Sequence, residues 1–142
     1  MAAHDYQLLI KNILKSPIAQ ASRKQIVFRG AQRFSYPEFV DRVHRLGAVL
    51  QAAGAKQGTR IAVMDWDSHR YLEAYFAVPA IGAVLMMVNI RLSPEQIAYT
   101  VDHAEAEILL GGTGVVDRAA GANDLAFHIF GVDIRFHGSR VP

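Results

Sequence analysis

The chain has the size of one domain: its 142 residues, 51% of them apolar and 20% charged, are enough to bury a core of ordinary composition. A formal net charge of +2 without any basic run gives no reason to predict nucleic-acid binding. The absence of cysteine excludes disulfides, a thiol nucleophile and a thiolate metal site, and it fits a cytoplasmic protein. The longest apolar run, 74–88, contains Pro79 and Gly82, so we expect no transmembrane segment.

The first 35 residues predict a helix and then a β-hairpin. Apolar residues at helical spacing indicate a helix over 6–15, which Pro17 would end because the residue before a proline is disfavoured in a helix. Two short β-leaning runs, 25–28 and 32–35, flank Gly30, whose freedom at positive φ suits the turn of a hairpin.

The clearest helix begins at a capping box over 35–38 and ends before Gly54, which suits a left-handed cap. Its apolar residues are three or four positions apart: Phe39, Val43, Leu46, Leu50 and Ala53. Two pairs of opposite charge lie four positions apart on the expected solvent side: Glu38 with Arg42, and Asp41 with Arg45. This pattern predicts a surface helix with one buried face.

From Arg60 to Leu110 three apolar runs alternate with two capped helices, which predicts a right-handed, parallel β-α-β-α-β unit. The runs 61–64 and 83–88 are continuously apolar, so we expect two strands covered on both faces. The third strand is expected over 107–110. The predicted fold class is therefore α/β, with a mostly parallel sheet preceded by a helix and a hairpin.

The two helices of this unit start at serine caps. Ser68 is expected to cap a helix from His69 to about Ile81, with a kink or an early end at Pro79. Its predicted inward residues are Leu72, Tyr75, Phe76 and Ala80. A capping box at Ser93 begins the second helix, whose predicted inward residues are Ile97, Val101 and Ala104. Beyond residue 110, only the runs 125–130 and 132–136 could form strands.

Parallel sheets usually bind ligands at the carboxyl ends of their strands, so the residues there are the first candidates. Asp65-Trp66-Asp67 could bind a ribose or a cation, although Asp67 and Ser68 are more simply caps of the next helix. Gly111-Gly112-Thr113-Gly114 is the one phosphate-loop candidate. It has no Lys-Ser/Thr ending and no full G-x-G-x-x-G, so an ordinary loop is the better interpretation.

The histidines do not form a recognisable metal motif. The six of them show no pair four residues apart and no HExxH: His4, His44, His69, His103, His128 and His137. His44 and His103 are expected on helix surfaces. We therefore assign no catalytic, cofactor-binding or metal-binding residue to this chain.

Residues from about Ile26 to Leu110 resemble the N-terminal portion of the AMP-forming acyl-CoA synthetases, the adenylate-forming superfamily. The resemblance is carried by RFSYPEFVDRVHRLGAVLQAAGAKQGTRIAV and SHRYLEAYFAVPAIGAVLMMVNIRLSPEQIAYTVDHAEAEILL. Within it, AVPAIGAVLMMVNIRLSPEQIAY is most similar to the fatty-acyl-CoA synthetase branch. The resemblance implies that a full-length enzyme would use ATP, Mg²⁺ and CoA to convert a fatty acid through an acyl-adenylate into acyl-CoA.

The family's catalytic motifs are not found in this sequence. It has no Ser/Thr/Gly-rich loop ending in Pro-Lys-Gly, no ATP-ribose aspartate motif and no C-terminal domain with an adenylation lysine. We expect an N-terminal helix and linker over 1–24, an incomplete AMP-binding domain over 25–110 and an atypical tail over 111–142. The leading hypothesis is an N-terminal fragment of a fatty-acyl-CoA synthetase that is inactive alone and exposes apolar surface. Three explanations of the tail stay open: a divergent end, a frameshifted reading or the edge of an incomplete gene.

Two other functions stay open. One is a stand-alone nucleotide- or acyl-binding module that uses the strand ends near Asp65, Asn89 and Gly111. The other is a subunit-interaction piece, in which the N-terminal helix and the hairpin mediate formation of a homo-oligomer.

Overall fold

The structure is a computed structural model that describes residues 9–15, 24–112, 126–129 and 132–136. The helices and strands of these residues are, in chain order, α1 (Ile10–Ile13), β1 (Gln25–Phe28), β2 (Gln32–Ser35), α2 (Tyr36–Ala52), β3 (Arg60–Met64), α3 (His69–Ala80), β4 (Val84–Met87), α4 (Pro94–His103), β5 (Ile108–Gly112), β6 (Ala126–Ile129) and β7 (Val132–Phe136). The predicted α/β fold class and its order of elements are confirmed.

The main sheet has the strand order β4-β3-β5-β7-β6, and β1 pairs separately with β2 as an antiparallel hairpin. Strands β4, β3 and β5 are parallel, which confirms the predicted β-α-β-α-β unit. Strand β7 runs antiparallel to β5, and β6 runs antiparallel to β7. The two runs proposed as strands after residue 110 therefore do form strands, and they extend the same sheet.

The helix starts follow the predicted caps. In α2 the Ser35 amide donates to Glu38 Oε2 at 2.7 Å, while the Glu38 amide donates to Ser35 Oγ at 3.4 Å. The same reciprocal pair joins Ser93 and Gln96 at the start of α4. Each box satisfies amide groups that a helix leaves without an internal partner. Gly54, with a φ of +93°, follows α2 in the left-handed region, as expected.

Strand β3 lies at the centre of the core, with side chains on both faces of the sheet. On one face Ile61 and Val63 pack among residues from α2, α3 and β5. On the other, Ala62 and Met64 pack against α4 through Ile97 and its neighbours. A third cluster joins Leu14, at the end of α1, to α2 and α3. The part of the predicted N-terminal helix before residue 9 lies outside the described residues.

Strand β4 is less buried than its sequence predicts. The run 83–88 was expected to be covered on both faces, but Val84 is 50% exposed and Met87 is 60% exposed. The reason is its place at the edge of the sheet, where β3 is its only described neighbour. A continuous apolar run does not distinguish a central strand from an edge strand.

The buried face of α3 also differs from the prediction. Leu72 and Tyr75 are more than a third exposed, Ala80 is exposed as well, and Phe76 is half-buried. The buried residues of this helix are His69, Glu73, Ala74, Ala77 and Val78. The prediction was wrong because it placed only apolar residues inward, whereas α3 turns two polar residues toward α2 and the hairpin.

The helix continues through Pro79 and ends at Ala80, close to the predicted end at about Ile81, so it does not stop at the proline. In α4, Ile97 and Val101 are buried as predicted, and Ala104, which follows the helix, is half-buried. None of the helices in the described ranges is long and apolar enough to cross a membrane.

Candidate functional site

The carboxyl ends of the three parallel strands meet at one edge of the sheet. Val63 of β3 is level with Met87 of β4, and Met64 is level with Gly111 of β5. Asp65, Asn89 and Gly112 therefore follow or end neighbouring strands at this edge. The topology brings together the residues that the sequence proposed as a ligand-binding site.

The polar side chains at this edge are used within their own turns. Asp65 accepts a hydrogen bond from the Trp66 amide at 2.7 Å and another from the Ser68 hydroxyl. Ser68 in turn caps α3 by accepting from the Arg70 amide at 3.1 Å, which confirms the predicted cap. Asn89 Oδ1 accepts from the Arg91 amide at 3.0 Å. These oxygens fix loop conformation and are not directed at a ligand.

The described cavity beside Asp65 is small. Gly111 and Gly112 belong to strand β5, whereas Thr113 and Gly114 lie outside the described residues. A Cβ atom placed on Gly112 would lie 3.0 Å from Asp65 Oδ1, so the carboxylate rests directly on the glycine backbone. The cavity lined by Asp65, Arg70, Gly111 and Gly112 measures about 10 Å³, the volume needed by a single water molecule.

Among the described residues, the histidines form no metal-binding cluster. His44 and His103 are exposed on α2 and α4, as predicted, and His128 lies in β6. His4 and His137 lie outside the described residues. Within the described part of the chain, no group of three or more His, Asp or Glu side chains could hold a metal ion.

His69 differs from His44 and His103 because it is buried. It lies in a second region, where the hairpin packs against the start of α3. Its ring lies 5.1 Å from the Phe28 ring and 5.3 Å from the Phe34 ring, measured between centroids. Burial, helped by the nearby Arg70 and Arg42, lowers the pKa of His69 below its ordinary value of 6.5, while Asp65 opposes that shift. His69 Nδ1 has no hydrogen-bond partner among the described residues, an arrangement that costs roughly 1–3 kcal/mol for a buried polar group.

Arg42 and Glu73 connect α2 to α3 in the same region. Arg42 Nε donates to Glu73 Oε1 at 2.6 Å, and the Glu73 side chain is only 8% exposed. The Arg42 guanidinium also lies 4.7 Å from the centroid of the Phe34 ring. The expected pairing of Arg42 with Glu38 is wrong because Glu38 is held by the Ser35 cap, whereas the expected Asp41–Arg45 pair is present at 3.0 Å.

Two open clefts flank this region. One, of about 370 Å³, is lined mainly by apolar side chains of β1 and α3, including Val27, Leu72 and Tyr75. The other, of about 460 Å³, is lined by Arg33, Arg42, His69 and Arg70 together with residues of the hairpin. Sequence reasoning missed both clefts. The lining residues of the apolar cleft come from two separate segments and those of the arginine-lined cleft from three. The local signal was a histidine and a glutamate on the buried face of α3.

Comparison with known proteins gives consistent results. The sequence profile of the AMP-binding enzyme family matches residues 15–129. The chain is 42% identical over 110 residues to a long-chain-fatty-acid–CoA ligase of Thermus thermophilus, a match that covers 75% of this chain and 20% of the relative. It is 40% identical over 80 residues to a 3-methylmercaptopropionyl-CoA ligase of Ruegeria pomeroyi, covering 56% of this chain and 15% of that ligase.

The fold agrees with these matches. A solved fatty acyl CoA synthetase of Mycobacterium tuberculosis superposes with a TM-score of 0.71 at 22% identity, over 80% of this chain and 24% of that one. The chain thus spans about a fifth of the length of the curated relatives it matches. The profile match over most of its residues shows that the chain belongs to the AMP-binding enzyme family.

Proposed function

We propose that this chain provides the N-terminal part of the AMP-binding domain of a fatty-acid–CoA ligase, where it serves as scaffold, and that the 142-residue chain alone does not activate fatty acids. The observation that carries the proposal is the 42% identity to a long-chain-fatty-acid–CoA ligase over 110 residues. For the intact ligase we propose ATP, Mg²⁺ and CoA as cosubstrates and a cytoplasmic location.

The geometry at the carboxyl edge supports a scaffold role. Mg²⁺ and a triphosphate need free carboxylate oxygens, cationic donors and room, since Mg²⁺ requires octahedral oxygen ligands. Here Asp65 is engaged by the Trp66 amide and the Ser68 hydroxyl, and the adjoining cavity holds about 10 Å³. The described residues of this edge do not fit ATP with Mg²⁺, so no step of the ligase reaction is assigned to them.

The edge strand β4 supports the same role. Val84 and Met87 are at least half exposed on a strand whose described pairing is with β3 alone. An apolar edge strand readily pairs or packs with further polypeptide. The 110 aligned residues are 20% of the Thermus thermophilus ligase, and we propose that the remainder of such a ligase covers this strand. We also propose the division into 1–24, 25–110 and 111–142 as the sequence predicts it.

A chimera tests the proposal. Residues 60–112 would replace the aligned segment of the Thermus thermophilus ligase, and fatty-acid-dependent ATP–pyrophosphate exchange would be measured. A true scaffold should keep the activity within about tenfold of the parent, equivalent to about 1.4 kcal/mol of the barrier. The matched control carries Ile61→Asp in the same graft, which should unfold it. A chimera that folds by circular dichroism but has no exchange activity would refute the assignment.

A second candidate function is a stand-alone acyl-binding module. It is favoured by the 370 Å³ apolar cleft between β1 and α3, whose Val27, Leu72 and Tyr75 side chains are each more than a third exposed. Thermal-shift measurements with fatty acids, CoA, ATP and AMP separate the candidates, because a ligand that binds the folded chain must raise its melting temperature. A shift with fatty acids that Leu72→Ser abolishes would favour the binding module.

A further inference from the structure

We propose that the cleft between the β1–β2 hairpin and the first turn of α3 binds a phosphate group of a small molecule. The cleft has a volume of about 460 Å³ and opens beside β2. Its lining residues are Ala31, Gln32, Arg33, Phe34, Arg42, His69 and Arg70. Three of them are arginines, and no carboxylate occurs among the lining residues that the structure describes.

The arginines suit a phosphate in both charge and shape. Guanidinium groups bind phosphate oxygens through two parallel hydrogen bonds, which an ammonium group cannot do. Arg42 is already held in place by Glu73 at 2.6 Å and by the Phe34 ring at 4.7 Å, so binding would restrict it little further. Glu73 neutralises the charge of Arg42. The two remaining positive charges, on Arg33 and Arg70, match the charge of a phosphate dianion better than that of a carboxylate.

Two unpartnered buried atoms are the second observation. His69 is 5% exposed, and its Nδ1 has no hydrogen-bond partner; the same is true of Arg70 Nε, within the described residues. Both residues line the cleft and lie in the first turn of α3, where the helix dipole favours an anion. The amides of Arg70 and Tyr71 are taken by Ser68. Because both nitrogens are buried, a phosphate in the cleft would give them the acceptor that they lack after a rotation of each side chain.

This site does not depend on the proposed ligase role. The cleft lies between the hairpin and α3, and none of Asp65, Asn89 and Gly112 lines it. The phosphate could come from inorganic phosphate or diphosphate, or from a nucleotide. The chemistry of recognition is the same, so the source is decided by experiment.

The test is a titration of the 142-residue chain with inorganic phosphate, diphosphate and AMP in separate series, at constant ionic strength kept by sodium chloride. The NMR signal of the His69 ring and the heat of binding are both followed. We expect a saturable shift and a rise in the pKa of His69, because a nearby anion favours the imidazolium form. The other charges facing His69 are Arg42 on α2, Arg70 on its own helix and Asp65 after β3, and they are unchanged in each series.

Two variants with the same loss of charge complete the test. Arg33→Ala removes an exposed arginine that lines the cleft, and it should weaken binding by about tenfold, the effect of one charge-assisted contact. Arg45→Ala removes an exposed arginine of α2 outside the cleft and should change the affinity less than about twofold. Tighter binding of AMP than of phosphate identifies a nucleotide source, and the reverse identifies an inorganic one. Shifts that do not saturate, or equal losses in the two variants, overturn the proposal.

Discussion

The carboxyl edge of the parallel sheet and the contact between the hairpin and α3 use their polar residues in opposite ways. At the sheet edge, Asp65 and Asn89 accept hydrogen bonds within local turns, and the described cavity beside Asp65 measures about 10 Å³. At the hairpin, His69 is buried with an unpartnered nitrogen beside two clefts of several hundred Å³. Among the described residues, the polar oxygens at the fold's usual ligand position are engaged in local turns, whereas two larger clefts lie at the hairpin.

The two regions therefore differ in whether their polar groups stabilise the fold or remain available for binding. A buried polar group without a partner lowers stability, so natural folds tend to keep one only where something else is gained. At the sheet edge, the side chains of Asp65 and Asn89 have hydrogen-bond partners within their own turns, which suits a scaffold. The hairpin contact contains two buried polar atoms without a partner, His69 Nδ1 and Arg70 Nε, and Arg70 also lines the small cavity beside Asp65. These two atoms suit a surface that meets a ligand or another part of the protein.

The largest expected effect is a change in the free energy of unfolding, which should differ between the packed sheet and the open hairpin. Ile61 in β3 is fully buried, so Ile61→Ala should lower the free energy of unfolding by about 2–5 kcal/mol through lost contacts and a cavity. Val27 in β1 is 46% exposed, and Val27→Ala should change it by no more than about 0.5 kcal/mol. Urea denaturation of both variants measures the two values. Similar losses would mean that the hairpin is as tightly packed as the sheet.

A smaller effect is expected from the ion pair between α2 and α3. Glu73→Gln leaves the Arg42 guanidinium without its charged partner in a site where the glutamate is 8% exposed and the arginine 26%. Because Arg42 is partly solvated, we expect a loss of about 1–3 kcal/mol, less than for a fully buried pair. The control is Asp41→Asn, which breaks the exposed pair with Arg45 and should cost less than about 0.5 kcal/mol. Equal losses of stability in the two variants would show that the Arg42–Glu73 pair stabilises the fold no more than an exposed ion pair does.

The smallest effect concerns pH. Since burial lowers the pKa of His69 in the folded chain, the unfolded chain takes up the proton first as the pH falls through 6.5. This residue therefore makes stability decrease from pH 7.5 downward until the folded pKa is reached, and its effect is absent above pH 7.5. His69→Phe keeps the aromatic contacts with Phe28 and Phe34 and should flatten this part of the stability curve. An unchanged slope in urea melts across this range would contradict the assignment to His69.

Local sequence patterns were enough to predict the helix starts and the order of helices and strands. The capping boxes at Ser35 and Ser93 and the alternation of apolar runs with helices are encoded by neighbouring residues, and all of them appear in the structure. The position of β4 at the edge of the sheet could not be predicted from the sequence, because the order of strands in a sheet depends on strands far away along the chain. The same holds for Arg42, which pairs with a residue 31 positions away and not with the one four positions away.

The hairpin clefts could not be predicted for a related reason. The walls of the apolar cleft come from β1 and from α3 with the loop before it, and those of the arginine-lined cleft come from the hairpin, α2 and the start of α3. No local pattern predicts that these segments meet. His69 and Glu73, four residues apart in a helix expected to turn only apolar side chains inward, were the available signal. Buried polar residues on such a helix indicate a hydrogen-bond or ion-pair partner on another segment, but they do not identify that segment.

The most direct test of the central claim is ATP–pyrophosphate exchange by the purified 142-residue chain with long-chain fatty acids. A scaffold segment whose strand ends are occupied by their own turns should give no exchange above the level seen without protein, at any fatty acid concentration. Exchange that depends on the fatty acid and grows with protein concentration would contradict the claim, because the described strand ends would then have to support adenylation.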